Sequence, residues 1–261
     1  MKPTAGDRTR GPWAVAVAVS ILIGLSASPA GAYEPGPHYW IGRVPGLVAE
    51  WQADLEKADR ALRAGDYLEA RRRARGTLRA MFRAVRGGPD AAPLLALAVL
   101  LRGLADAGLG NEEAALWDWH LVSALHPPLA RSDLSAYGEP GKVLAKGALR
   151  QAEPEAGPDG EVEADDRNLT PPERTKFDQP GYPPALHVTC TEGTVVVQVL
   201  LTEGGVPTSP RNLSQDANPI FVYSAFEALR DWRFRPARQG GEPIEALFNL
   251  TVNFKSPRCQ D

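Results

Sequence analysis

Chemistry in this chain would have to come from two cysteines, four histidines and a ladder of arginines. Cys190 and Cys259 are the only cysteines. His38, His120, His126 and His187 are scattered without metal-ligand spacing, so no metal site is expected. No Gly-x-Ser-x-Gly, phosphate loop or dinucleotide fingerprint occurs, and no nucleophile can be named with its base. The expectation is a protein that is not an enzyme and needs no cofactor. Arg71, Arg75, Arg79 and Arg83 recur at steps of four, with Arg72, Arg73 and Arg86 nearby, and so form one basic helix face. Such a face is either solvated or meets an anionic partner: lipid headgroups, a cell-wall polymer, or an acidic stretch of the chain itself.

The elements that would position a binding surface lie near the C-terminus, from about Gly181 to Phe254. Val195, Val197, Val199 and Leu201 alternate along one side of a strand, and Glu203-Gly204-Gly205 follows as a hairpin turn. Val206 to Leu213 reads as the return strand. Pro207 cannot donate a ladder hydrogen bond, which puts that strand at a sheet edge. The period then changes, and Ala225, Ala228, Leu229 and Trp232 fall on one helix face that Pro236 ends. From Ala246 to Lys255 alternation returns, with Phe248, Leu250, Val252 and Phe254 on one side and Asn249, Thr251, Asn253 and Lys255 on the other. A helix that covers the apolar face and returns the chain to the sheet's starting end places the last strand antiparallel beside the first. The expected order is second, first, third, a three-stranded antiparallel ββαβ unit whose third strand is a free edge.

These residues resemble the C-terminal domain of TonB-type energy transducers. The resemblance rests on Tyr182-Pro183, on Gly193 to Val197, on Gly204-Gly205, and on Ala228-Leu229 with Trp232, Phe234, Pro236 and Ala237. It covers roughly the last third of the chain. It implies a periplasmic, non-enzymatic domain that takes a peptide segment of an outer-membrane receptor against its last strand, the edge carrying Asn249, Thr251 and Asn253. Trp232 is expected to plug the helix onto the sheet. Arg233 and Arg235 alternate with Trp232 and Phe234 and point to solvent, for surface ion pairs or for a partner's carboxylate or backbone.

The compartment is set at the other end. Lys2, Arg8 and Arg10 precede an uncharged run from Trp13 to Ala27, and Ala30-Gly31-Ala32 has the form of a signal-peptidase site. The apolar run is 15 residues, short of the roughly 20 that span a bilayer. Residues 1–32 therefore read as a signal peptide cleaved before Tyr33, or else as a retained anchor, and only the second would give membrane contact and a link to an inner-membrane motor. Cleavage removes three basic residues and Asp7 and moves the formal charge from −3 to −5. That acidity argues against nucleic acid as a partner. In an oxidising compartment a Cys190–Cys259 disulfide is expected, because antiparallel neighbours bring the start of the first strand beside the end of the last.

Between these ends, residues 41–150 turn to Ala, Leu and Arg and favour helices. Gly65-Asp66-Tyr67-Leu68-Glu69-Ala70 and Gly110-Asn111-Glu112-Glu113-Ala114-Ala115 resemble the turn and second-helix start of a tetratricopeptide repeat. Their glycines are 45 residues apart against about 34 in that repeat, which requires an insertion around Gly87 to Pro93. An ordinary helical bundle is the alternative. Ser132 to Arg150 is expected to supply a third, degenerate pair. Residues 151–180 carry nine acidic and three basic residues without apolar period and read as an extended, disordered linker.

The expected architecture is thus a tetratricopeptide-like helical domain, an acidic linker and a TonB-like domain over 181–261. Two functions fit it: a periplasmic module that docks a protein segment on its edge strand, in TonB-dependent transport, and a structural adaptor acting through its helices. In the adaptor the edge would be closed by a second copy of the chain or by the linker.

Overall fold

The computed structural model describes residues 45–85, 91–152, 169–256 and 258–259. Among the described residues the first four helices form two antiparallel hairpins: α1 (Pro45–Arg63) with α2 (Tyr67–Ala84), and α3 (Ala91–Gly108) with α4 (Glu112–Leu125). The two hairpin turns are built alike. Gly65 and Gly110 take φ of 78° and 79°, the left-handed conformation that glycine adopts without steric cost. Asp66 N–H then bonds back to Ala61 C=O and Asn111 N–H to Asp106 C=O, satisfying carbonyls at each helix end. Asp66 caps α2 by accepting from Glu69 N–H at 3.1 Å. After α5 (Pro127–Ala130) and a 3₁₀ turn at Ser135–Tyr137 comes α6 (Glu139–Ala152), packed on α3 and α4. The stretch from Ser132 to Arg150, expected as a helix pair, thus supplies one helix behind a short turn. Pro140 and Gly141 follow the turn and sit at the start of α6, where a missing N–H costs nothing.

Helix α3 is long and apolar enough to cross a membrane by length and composition, yet it is buried among α1, α2, α4 and α6. A helix enclosed on every side is apolar on every side.

The C-terminal part contains β1 (Leu169–Thr170), β2 (Glu173–Lys176), a 3₁₀ turn (Pro184–Val188), β3 (Gly193–Leu201), β4 (Pro207–Asn212) and α7 (Pro219–Leu229). Strands β5 (Arg233–Arg235), β6 (Ala237–Gln239), β7 (Glu242–Ile244) and β8 (Ala246–Phe254) follow. The main sheet has the order β4-β3-β8, antiparallel throughout, with Val195, Val197, Val199 and Leu201 facing α7 in full burial. Asn218 opens α7 by accepting from Ile220 N–H, with Pro219 in the first turn.

Two expectations are corrected here. The helix expected to run to Pro236 ends at Leu229, and Arg233–Arg235 is a strand paired with β2. Trp232 is indeed buried, but its Nε1–H donates to Asp178 C=O from a turn, and the alternation of Trp232 and Phe234 with Arg233 and Arg235 is a strand period. Secondly, part of the expected linker is ordered: α6 continues through Ala152, and β1 and β2 pair with β6 and β5. Those strands show no apolar period because all of their side chains are exposed. Their partners come from 57 to 70 residues further along. Residues 153–168 lie outside the described residues, as do residues 1–44, the proposed cleavage site and His38 among them.

The helical and C-terminal parts share one core. Buried residues from Trp51 to Phe254 form a single cluster, closed at the seam by Phe82 against Tyr223 and Trp117 edge-on to Phe226. Trp117 Nε1–H also donates to Phe226 C=O at 3.2 Å. At the centre of the seam Arg102 of α3 forks onto Asp118 of α4, at 2.7 Å through both Nε and Nη2. It also reaches Glu227 of α7, at 2.9 Å and 2.6 Å. Arg230 holds the other side of Asp118. Burial opposes the Arg102 charge, but Asp118 and Glu227 outweigh it and raise its pKa. Replacing Arg102 by Met should cost roughly 3–5 kcal/mol, because two carboxylates lose their fork inside a closed seam. Urea unfolding checks this; a midpoint within error of the parent chain would show the cluster to be energetically idle.

Candidate functional site: an open sheet edge

Strand β8 has one neighbour. It pairs with β3 from Gly193↔Phe254 to Leu201↔Ala246 and with no other strand among the described residues. The opposite edge, β4, lies against α4 and carries Pro207 and Pro210. That edge is covered, whereas among the described residues β8 is open.

The hydrogen bonds of β3 fix which backbone groups β8 offers. Leu213 N–H donates to Val196 C=O, Val196 N–H donates to Ser214 Oγ, and Thr208 Oγ1–H donates to Leu200 C=O. Even-numbered residues of β3 therefore turn their backbone toward β4, and odd-numbered ones turn toward β8. By the register, these odd residues meet the even residues of β8, Phe248, Leu250 and Val252. What remains, the N–H and C=O groups of Leu247, Asn249, Thr251 and Asn253, points away from the sheet. This is the row a further strand would use.

Side chains divide the same way. Leu250, Val252 and Phe254 are buried beneath α7, with Phe254 stacked on Phe221 at 4.4 Å between ring centroids. Asn249, Thr251 and Asn253 are exposed on the outer face. Gln198 Nε2 donates to Asn249 Oδ1 at 3.2 Å and Thr194 Oγ1 to Asn253 Oδ1 at 2.9 Å, so β3 holds both amides in place. The Cys190–Cys259 disulfide, with Cα atoms 5.9 Å apart, ties the start of β3 to the chain just beyond β8. It secures the end of a strand that has only one flank.

Arg233 and Arg235 are not part of this edge. They lie exposed on β5, where Arg235 bonds Glu173 at 2.6 Å and Arg233 donates to the carbonyls of Arg230 and Trp232. The basic face of α2 is likewise divided. Arg71 pairs with buried Asp106 at 3.2 Å, Arg75 is half-buried, and Arg79 and Arg83 are exposed. Arg72 and Arg73 pair with Glu69. Among the described residues no group of His, Cys, Asp and Glu could hold a metal ion. His126 caps α5, accepting from Leu129 N–H, and His187 shares a hydrogen bond with Ser256 at 3.0 Å. The seam residues Arg102, Asp118, Glu227 and Arg230 escape a motif search. The signal available for them was Arg102 and Asp106 standing as the only charges in the apolar run Ala91–Gly108.

An edge of this kind on a β4-β3-β8 sheet with one covering helix defines an interaction module. Residues 178–256 match the family described as Gram-negative bacterial TonB protein C-terminal, and this part of the chain is a TonB-type C-terminal domain. Protein TonB of Vibrio cholerae serotype O1 is 30% identical over 77 residues, which is 30% of this chain and 32% of that protein. The match thus spans about a third of the relative's length. Domains of this family are non-catalytic, and their homologues are periplasmic or envelope proteins.

His120, on the α4 side that meets β4, is held neutral: burial first, then the nearby Arg211 charge, lower its pKa to about 4. The unfolded chain, with a histidine near pH 6.5, binds that proton more readily than the folded one. Stability should therefore be full above about pH 6.5 and fall by up to roughly 2–3 kcal/mol as the pH drops toward 4. His120→Gln should flatten that part of the profile in urea titrations between these pH values. An unchanged slope would assign the loss to carboxylates.

Proposed function

We propose that this chain is an exported periplasmic binding protein that takes an extended protein segment as a fourth strand on β8, in TonB-dependent transport. The observation that carries the reading is the outward row of backbone groups at Leu247, Asn249, Thr251 and Asn253 beside a covered opposite edge. The family match supports a receptor segment from the outer membrane as the partner class. In this reading residues 1–32 direct export and are removed before Tyr33, residues 41–150 are tetratricopeptide-like, and residues 181–261 form the ββαβ docking domain. With the leader cleaved, the protein holds a receptor segment without pulling on it; with the leader retained, it is a transducer.

A second reading is favoured by the seam. Because α7 is clasped by Arg102 and Trp117, the helical layer is a fixed extension of the docking domain, which suits an adaptor that presents a second protein beside β8. In its scaffold form a second copy closes the edge, and sedimentation would give a dimer.

Proline separates edge docking from folding. Asn249→Pro and Thr251→Pro remove N–H groups that serve no internal ladder bond, so both variants should fold while binding of a receptor segment weakens about tenfold or more, at roughly 1 kcal/mol for each lost bond and its neighbours. Leu250→Pro removes a bond to β3 and should destabilise the sheet itself. Calorimetry with the periplasmic segment of a co-expressed receptor reads the outcome. Unchanged affinity in both folded edge variants would refute strand addition.

A further inference from the structure

Exposure alternates without a break from Glu245 to Lys255, one residue beyond β8 at each end. Glu245, Leu247, Asn249, Thr251, Asn253 and Lys255 are the exposed members, so the open flank carries an acid, four uncharged residues and a base in that order. On β3 the register sets Leu200, Gln198, Val196 and Thr194 beside the four uncharged ones, again without charge. The row of backbone donors also stops at the acidic end. Glu242 and Gln239 close the two-residue turn Gly240-Gly241 and face each other, which turns Pro243 to the open flank, where it has no N–H to offer. Carboxylates neighbour both ends. Continued by one step, the register sets Thr202, which precedes Glu203, across from Glu245, and sets Glu192 across from Lys255. Arg238, across from Pro243, turns its guanidinium to Gly241 C=O. None of Glu192, Glu203, Glu242, Glu245 and Lys255 makes an ion pair among the described residues.

Charged residues guard many edge strands against unwanted pairing. Here they stand only at the two ends and leave the four positions between them unguarded. Given strand addition to β8, on which this rests, we infer that Glu245 and Lys255 select the partner: an extended segment of about eleven residues, the span from Glu245 to Lys255, with a basic residue beside Glu245, an acidic residue beside Lys255 and no charge between them. The side chains of that segment alternate as well. Those on the outer face lie beside Asn249 and Thr251 and are polar, and those on the other face extend the apolar row of Phe248, Leu250 and Val252. Opposite charges side by side across a strand pair attract and like charges repel, so a segment that brings an acid to Glu245 or a base to Lys255 is disfavoured. The bracket thereby fixes the register, and the order of the two charges in the segment sets its direction.

Two synthetic peptides of that length, acetylated and amidated, test the selection on the full chain by calorimetry. Both have valine at every second position with serine and threonine between; one carries arginine at both ends and the other aspartate at both ends, so neither depends on strand direction. Glu245→Lys should shift the ratio of the two affinities about fivefold or more toward the aspartate-ended peptide, and Lys255→Glu should shift it as far toward the arginine-ended one. Both shifts should shrink in high salt. Lys142→Glu, on α6 and off the sheet, should move the ratio by less than about twofold; an equal shift there would assign the effect to net charge and overturn the inference. A ratio unchanged in both edge variants refutes the selection but leaves strand addition standing if Asn249→Pro still weakens both peptides; affinities that Asn249→Pro does not touch count against strand addition itself. No binding of either peptide refutes the selection as stated, and strand addition is then judged on the receptor segment alone. Because Glu245 and Lys255 lie equally far from Leu250, an antiparallel second copy also matches them. A dimer in sedimentation that Glu245→Lys splits and the Glu245→Lys/Lys255→Glu double variant restores would assign the charges to self-pairing and overturn the inference.

Discussion

One guanidinium shared by two carboxylates from distant parts of the chain governs this structure. Arg102 and Asp118 are all but closed off from solvent, at 4% and 0% side-chain exposure, and Glu227 reaches them from the TonB-type domain. Charges removed from water to this degree persist only when paired in good geometry, so the seam cannot drift without leaving a charge uncompensated. The geometry is also tight in the helical layer, where a Cβ on Gly103 would come within 3.0 Å of the Asp118 Cβ. The fork therefore fixes α3 against α4, and both against α7.

Consequences run from there to the edge. Helix α7 is gripped by the helical layer on one face and by the sheet on the other, and β4 is held against α4. Of the two sheet edges, only β8 then remains for pairing among the described residues. The turn before β4 strengthens the frame: Gly205, at φ 73°, donates and accepts in a hairpin whose carbonyl takes the Phe234 N–H at 2.9 Å, leaving no room for a side chain beside β5. At the far end the disulfide limits fraying of β8. The edge is thus held straight by neighbours on one flank and unpaired on the other, the arrangement that strand addition uses.

Much of the C-terminal domain was legible in the sequence because its strands carry strict alternation and its hairpin has a glycine turn. Val195 to Leu201 and Phe248 to Phe254 can bury their apolar faces in only one way. What was not legible depends on partners far along the chain. Glu173–Lys176 is a charged, fully exposed strand, and nothing in its own residues distinguishes it from linker; β5 makes it a strand. The segment Arg233–Arg235 carried two compatible periods, and tertiary pairing chose between them. The seam charges were visible as Arg102 and Asp106 in an otherwise apolar helix, but Glu227, the partner of Arg102, lies 125 residues further on in a different domain, and Arg230 lies 112 residues from its partner Asp118. Only packing brings them together.

The measurement that tests the open edge most directly is residue-resolved amide hydrogen exchange along β8 in the free protein. Phe248, Leu250 and Val252, bonded to β3, should be protected, while Asn249, Thr251 and Asn253 should exchange rapidly between them. An alternating pattern of that kind would establish an unoccupied strand edge on a stable sheet. Uniform protection through Asn253 would mean that something already pairs with β8, and uniform exchange would mean that β8 is not a stable strand; either contradicts the account.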